Sequence, residues 1–237
     1  MLFCVLLYKD MHRGYDEPTE DQQSNIQNRI GSFFFIAINL FVGSIMNSSI
    51  KLSLEASVVL KEISSGLYGP MYYFWSKSIL DMLVILPVKF LVSIGYYFLL
   101  DMRNDLAMFK QFIEFALWST LISNSIGLFL GCMIRTMKEV IQVIPLVFVT
   151  FVILAGFIVN TSSLGLLSFM KYISPLKYML EVIYMYEFDD SVVGKMIIDQ
   201  MDYNVGIETC RTVLYGFFIG FRVLAALTFA FRSRKIS

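Results

Sequence analysis

The sequence is short of the residues that carry chemistry. It holds one histidine, His12, in a polar stretch where a solvated role suffices. Its three cysteines, Cys4, Cys132 and Cys210, lie far apart with no CxxC or Cys/His spacing, so neither a metal site nor a disulfide framework is indicated. Charge is scarce as well. Asp, Glu, Lys and Arg make up 16% of the 237 residues, where a soluble domain carries about 25%. The formal net charge is +0, which argues against a nucleic-acid partner. No GxxxxGK[ST] stretch occurs, so nothing in this chain can cradle the phosphates of a nucleotide. Ser64-Ser65-Gly66 is not a nucleotide signature either.

What is abundant is apolar. Hydrophobic residues make up 57%, with 22 Phe and 14 Met, and the mean hydropathy is +0.67. This is an all-α polytopic membrane protein. The chain opens with MLFCVLLY, too short for a span of about 20 residues. It reads as a weak anchor or as the tail of a truncated first helix. Lys9 to Gln27 reads as an exposed polar loop. Further spans are expected at Ile30–Met46, Ile79–Leu100, Phe112–Ile134, Val140–Val159 and Val213–Phe231, with a mixed segment between Asn160 and Arg211.

The stretch from Leu52 to Lys77 is different in kind. Leu52, Ala56, Val59 and Ile63 fall on one helical face, with Lys51, Ser53, Glu55, Lys61 and Glu62 largely on the other. Gly66, Gly69 and Pro70 break that helix, and Tyr72-Tyr73-Phe74-Trp75 then marks the entrance to a span. The expectation is a short amphipathic elbow, separate from the preceding span and lying on a membrane surface.

Charge is segregated along the chain. The elbow, the Arg135–Glu139 turn and the C-terminal tail hold Lys51, Lys61, Arg135, Lys138, Arg232, Arg234 and Lys235 against only three acids. Most of the other acids fall between the remaining spans, including Asp101, Glu187, Asp189, Asp190 and Glu208. The positive-inside rule therefore puts the elbow in the cytosol and residues 160–211 outside.

Five pieces in this order resemble a known family. They are Gln27-Asn28-Arg29-Ile30-Gly31 before Phe33-Phe34-Phe35, Lys61-Glu62 with Ser65-Gly66-Leu67-Tyr68, and Tyr73-Phe74 with Lys77 and Asp81. Ala155-Gly156-Phe157-Ile158-Val159-Asn160 follows, and then Tyr172-Ile173-Ser174-Pro175-Leu176-Lys177-Tyr178 with Glu181 and Glu187-Phe188. Together, over about Gln27 to Arg234, they are similar to the membrane domain of G-subfamily (white-type) ATP-binding cassette half-transporters.

The resemblance implies an ABC-2 type transmembrane domain of about six helices, the first truncated here, working as two halves. Residues 1–27 would be the end of the first span and an external loop. Residues 28–237 would be the transmembrane domain, with 160–211 as an external helical segment. The same resemblance assigns Asn39, Val42, Val149 and Val152 to a substrate cavity, and Phe157 and Ile158 to an apolar outer gate. Glu62, Gly66 and Tyr68 would couple to a nucleotide-binding domain that the chain lacks and that would hold ATP and Mg. Each has a plainer alternative. Asn39 suits interhelical hydrogen bonding, the valines suit packing or lipid, and Glu62 suits a solvated helix face.

Other residues stand out on chemistry alone. Arg222 lies near the centre of the last span, where a charge is costly. The bland reading is a structural cation bonded to helix carbonyls. Ser123, Gly127 and Gly131 form a small-residue stripe that permits close helix approach. Cys210, the lone external cysteine, leaves an intersubunit disulfide or a free thiol open. Sequons at Asn47 and Asn160 are expected to stay unused.

The reading is the membrane part of an exporter moving lipids, sterols or other amphipaths. Its partners would be a nucleotide-binding domain in the same or a separate polypeptide, a second half-transporter as homo- or heterodimer, and membrane lipids. It would sit in the plasma membrane or an internal one and would not be an enzyme by itself. The alternatives are a stand-alone ABC-2 permease subunit with a separate ATPase chain and an intramembrane enzyme. The second would need clustered acids or histidines, whereas Asp81, Lys89 and Glu114 are scattered.

Overall fold

The computed structural model describes residues 20–99, 105–134, 136–155, 171–188, 203 and 205–234. Phe157 and Ile158 lie outside them. Six helices account for nearly all of these residues: α1 Glu20–Ser64, α2 Pro70–Leu99, α3 Leu106–Met133, α4 Met137–Leu154, α5 Pro175–Glu187 and α6 Ile207–Arg234. No strand occurs among the described residues. Among the described residues, five helices are long and apolar enough to cross a membrane, and α5 is not.

α1 corrects the expected layout. The predicted span at Ile30–Met46 and the predicted separate elbow are one unbroken helix of 45 residues, roughly 68 Å long at 1.5 Å per residue. The polar Asn47-Ser48-Ser49 stretch does not break it, because the hydroxyls are satisfied along the helix. Ser48 Oγ donates to the Ser44 carbonyl at 2.9 Å and Ser49 Oγ to that of Ile45 at 2.8 Å. The helix also starts earlier than expected, at Glu20 within the stretch read as a loop.

The amphipathic pattern was read on the right face but against the wrong partner. Leu52, Ala56 and Val59 are buried, and Leu52 and Val59 pack with Phe74, Leu128, Cys132 and Phe229. The apolar face of the elbow thus lies on α2, α3 and α6 rather than on a membrane surface. The break at Gly66 and Pro70 stands. Gly66 adopts φ 80°, a left-handed conformation that suits glycine, and Pro70 begins α2, where its missing N–H costs nothing.

α3 is the central helix, packed most closely on α1 and next on α6. The small-residue stripe permits this. A Cβ on Gly127 would stand 2.7 Å from the Ile45 carbonyl oxygen, and one on Gly131 3.0 Å from that of Ser49. Ser49 Oγ uses the proximity to donate to the Gly127 carbonyl at 2.8 Å. Around this spine the core runs from Phe33 and Phe41 of α1 through Phe112 of α3 to Tyr184 of α5. α5 is the helical segment expected before the last span, and nearly all of it is buried.

Candidate functional site

Three places on this frame hold polar side chains that the function can use. The first is the α1–α2 turn. The chain turns at residues 65–67 with backbone bonds from Ser65, Gly66 and Leu67 back to Lys61, Ile63 and Glu62. This brings Glu62, Gly66 and Tyr68 into one turn. The half-buried Tyr68 hydroxyl donates to Glu62 Oε2, and this bond, with some burial and the carboxylate charge, pushes the phenol up to about 12. Tyr68 stacks on Tyr73 at 5.9 Å, and Tyr73 stacks on Phe229 of α6 at 5.7 Å. The turn is therefore tied to the end of the last helix.

Glu55, which no motif marks, is better connected than Glu62. It accepts from the Tyr73 hydroxyl at 2.9 Å and from Lys77 Nζ at 2.7 Å, and Lys77 lies 3.7 Å from Asp81. The signal was present: Glu55 stands one residue from the buried Ala56, on the edge of the apolar face.

The second place is the middle of the bundle. Arg222 is 4% exposed. It donates through Nε to Ser125 Oγ at 3.0 Å and through Nη2 to Asn124 Oδ1 at 2.9 Å. Asn124 in turn donates to Ser48 Oγ at 2.6 Å. The expectation of helix carbonyls is corrected, because the side chains of α3 reach the guanidinium first. Carbonyl capture belongs instead to Arg232, whose Nη1 meets those of Cys132 and Ile134 at 3.2 Å, at the end of α3. The α1–α2 turn, the end of α3 and the end of α6 thus gather at one end of the molecule, as the charge pattern groups them.

The third place is the side of α1 turned away from α3. Asn39 is exposed and spends one N–H on the Phe35 carbonyl of its own helix at 2.9 Å. Gly43, one turn on, is also exposed. Val42 is half-buried beside them. On α4, which packs on α1 through Phe41, Phe148 and Phe151, Val149 is 49% exposed. Val152 is not part of this surface. It is 6% exposed and belongs to the core, because three residues beyond Val149 the helix has turned it inward. Cys210 is buried completely, which leaves an intersubunit disulfide no access without local opening. An apolar groove runs along α6, lined among the described residues by Val213, Gly216, Phe217, Gly220, Phe221 and Leu224. None of the expected site residues lines it.

The opposite end of the bundle is held by groups that motif reading had only partly weighed. Arg29 Nη1 pairs with Glu187 Oε1 at 2.5 Å with both side chains buried. Glu181 accepts from the Val205 N–H at 2.5 Å, and the Tyr203 hydroxyl donates to the Ala155 carbonyl at 2.7 Å. Burial pushes the Glu181 carboxyl up, against the opposing pull of the Val205 N–H and Lys177.

Residues 1–188 match the family model described as ABC-2 type transporter. The chain is 24% identical to ABC transporter G family member 1 of Dictyostelium discoideum, over 99% of this chain and 31% of that protein. It is 25% identical to ABC transporter G family member 25 of Arabidopsis thaliana, over 86% of this chain and 34% of that one. It is 22% identical to Protein white of Drosophila melanogaster, over 90% of this chain and 34% of the relative. The chain thus spans about a third of the length of these relatives.

Proposed function

The chain belongs to the ABC-2 type transporter family, and on that premise we propose that it is the membrane-spanning part of an ATP-driven exporter of amphipathic compounds. It is an integral membrane protein of the type found in G-subfamily transporters. In this reading ATP and Mg act on a nucleotide-binding domain in the same or a separate polypeptide, which docks at Glu62, Gly66 and Tyr68. A second half-transporter faces Asn39, Val42 and Val149, and the substrate, a lipid, sterol or similar amphipath, passes between the halves.

The observation that carries the reading is the continuity of α1. The mid-span face at Asn39 and the docking turn at Glu62 stand on one helix, 23 residues apart without a break, roughly 35 Å along the axis. A rigid helix passes a displacement at one end to the other, whereas a hinged elbow would absorb it. The test softens the rod without touching either site. Ser57 and Val58 are exposed, so Ser57→Gly with Val58→Gly removes helix propensity at about 1 kcal/mol per residue while leaving packing intact. In the complete transporter, substrate binding should persist while substrate-stimulated ATP hydrolysis and transport fall. Unchanged stimulation would remove α1 as the connection.

A further inference from the structure

We infer that the open face of α1 takes an amphipath with an acidic head group, and that the anion sits on the ammonium of Lys89. The inference rests on the export reading above and names the substrate class of that face.

Lys89 lies in the apolar body of α2, 19 residues after Pro70 and 10 before Leu99. Those are roughly 28 and 15 Å along the helix, farther than a lysine can snorkel to either end. Exposed Pro87, Val88, Phe90 and Leu91 surround it in sequence. Its side chain is not turned out to that apolar surface. It is half-buried, and its Nζ lies over α1, 3.6 Å from where a Cβ on Gly43 would stand. Among the described residues no carboxylate and no hydrogen-bond acceptor holds that Nζ. Every other cation of α2 and of the mid-span layer is placed differently: Lys77 has Glu55 and Asp81, and Arg222 has Ser125 and Asn124.

A charge at membrane depth is expensive, and it persists where it faces a wet cavity or a counter-charge. The surroundings of Lys89 point to the second. Gly43 brings bare backbone beneath it, and Asn39 stands one helical turn away on the same exposed side. α1 and α2 pack only sparsely on each other, so the lysine spans a fissure rather than a packed interface. A lysine offers donors and no acceptor, hence an anion satisfies it where a neutral head group leaves the charge uncompensated. On α1, half-buried Val42 and Met46 adjoin this polar spot and suit an alkyl chain. Charge at one point and apolar surface beside it describe a carboxylate, sulfate or phosphate on a hydrocarbon tail.

The test uses the complete transporter in nanodiscs of uncharged glycolipid, with oleate and its neutral isostere oleamide measured by equilibrium dialysis. Wild type should bind oleate more tightly than oleamide. Lys89→Gln should weaken oleate about tenfold or more, the scale of losing a hydrogen bond to a charged group, and leave oleamide unchanged. Lys89→Arg, which keeps the charge, should retain most of the oleate affinity. A second arm counts lipids retained in phosphatidylglycerol discs by native mass spectrometry. Fewer retained on Lys89→Gln assigns the anion to a bilayer lipid, and equal retention with lost oleate assigns it to a free amphipath; either upholds the anion site. Equal oleate affinity in wild type and Lys89→Gln overturns the inference, as do equal losses of oleate and oleamide. Failure of the export reading looks different: neither compound binds or stimulates ATP hydrolysis, whatever residue stands at 89.

Discussion

The two ends of the bundle both hold carboxylates, tyrosines and cations, yet they differ in their access to water. At the α5 end the groups are sealed: Arg29, Lys177, Glu181 and Glu187 are all under 5% exposed, and Tyr184 and Tyr203 are buried as well. At the end that holds the α1–α2 turn the Glu55 side chain is 42% exposed and that of Lys77 20%, and Glu62 and Tyr68 are half-buried. Removing one member of a sealed ion pair strands the other in a medium that cannot solvate it, whereas water takes over at a half-open one. The sealed end is therefore a clamp that holds α1, α5 and the start of α6 in one arrangement. The half-open end can exchange partners at little cost, as the docking role proposed for it would require.

The comparison breaks most directly at Arg29. Arg29→Ala removes the buried guanidinium that Glu187 meets at 2.5 Å, and a loss of about 3–5 kcal/mol is expected, read as unfolding in detergent followed by circular dichroism. Replacing both partners with apolar residues of similar volume should cost less than the single change. A loss under about 1 kcal/mol for Arg29→Ala would make the two ends alike.

Between the ends, packing decides rather than charge. Gly127→Ala places a methyl 2.7 Å from the Ile45 carbonyl oxygen, so α1 and α3 must separate, at about 1–3 kcal/mol. Gly216→Ala on α6 meets nothing within 4 Å and should be neutral or stabilising by up to about 1 kcal/mol, since alanine is the better helix former. Equal effects would mean that α1 and α3 are not in backbone contact.

Acidity sharpens the contrast further. The folded chain holds the Glu181 proton above the pH at which an unfolded carboxyl releases it. The associated stability is complete below the ordinary carboxylate range and is lost as pH rises through the raised folded value. Glu181→Gln removes that linkage, so its melting temperature relative to wild type should improve as pH rises from about 4 to 8. A difference independent of pH would place the carboxyl in contact with water.

Much of this was legible in the sequence because it rests on local pattern. Helix existence follows from apolar runs, the turn from Gly66 and Pro70, and a close approach on α3, though not its partner helix, from Ser123, Gly127 and Gly131. What was missed depends on which helix lies opposite. Nothing in the spacing of Leu52, Ala56 and Val59 tells membrane from protein, since both present an apolar surface. Asn124, Ser125 and Ser48 are unremarkable until Arg222 arrives from α6, 97 residues away from Ser125. The continuity of α1 was obscured because Asn47-Ser48-Ser49 reads as a break unless its hydroxyls are known to bond backward. The resemblance puts Val149 and Val152 on one surface, but Val152, about 60° around the helix from Val149, falls in the core.

The smallest expected effect on stability is at the coupling turn, and it separates a site from a scaffold. Among the described residues the Glu62 carboxylate bonds Tyr68 alone, while that of Glu55 bonds both Tyr73 and Lys77 of α2. Glu55→Gln should therefore cost up to about 1 kcal/mol, as for a half-exposed ion pair. Glu62→Gln should cost less still. Their effects on function should run the other way. Glu55 is committed to α2, whereas Tyr68 can surrender Glu62 to a basic group on a docking domain and keep its stack on Tyr73. Tyr68→Phe keeps the ring and removes the hydroxyl, which frees Glu62 without altering its charge. In the complete transporter, Glu62→Gln should then lower substrate-stimulated ATP hydrolysis while Tyr68→Phe leaves it intact or raises it, with surface expression unchanged in both. Equal losses from Glu62→Gln and Tyr68→Phe would mean that the bond between them matters rather than the free carboxylate. The half-open end would then be a second clamp, weaker than the first but the same in kind.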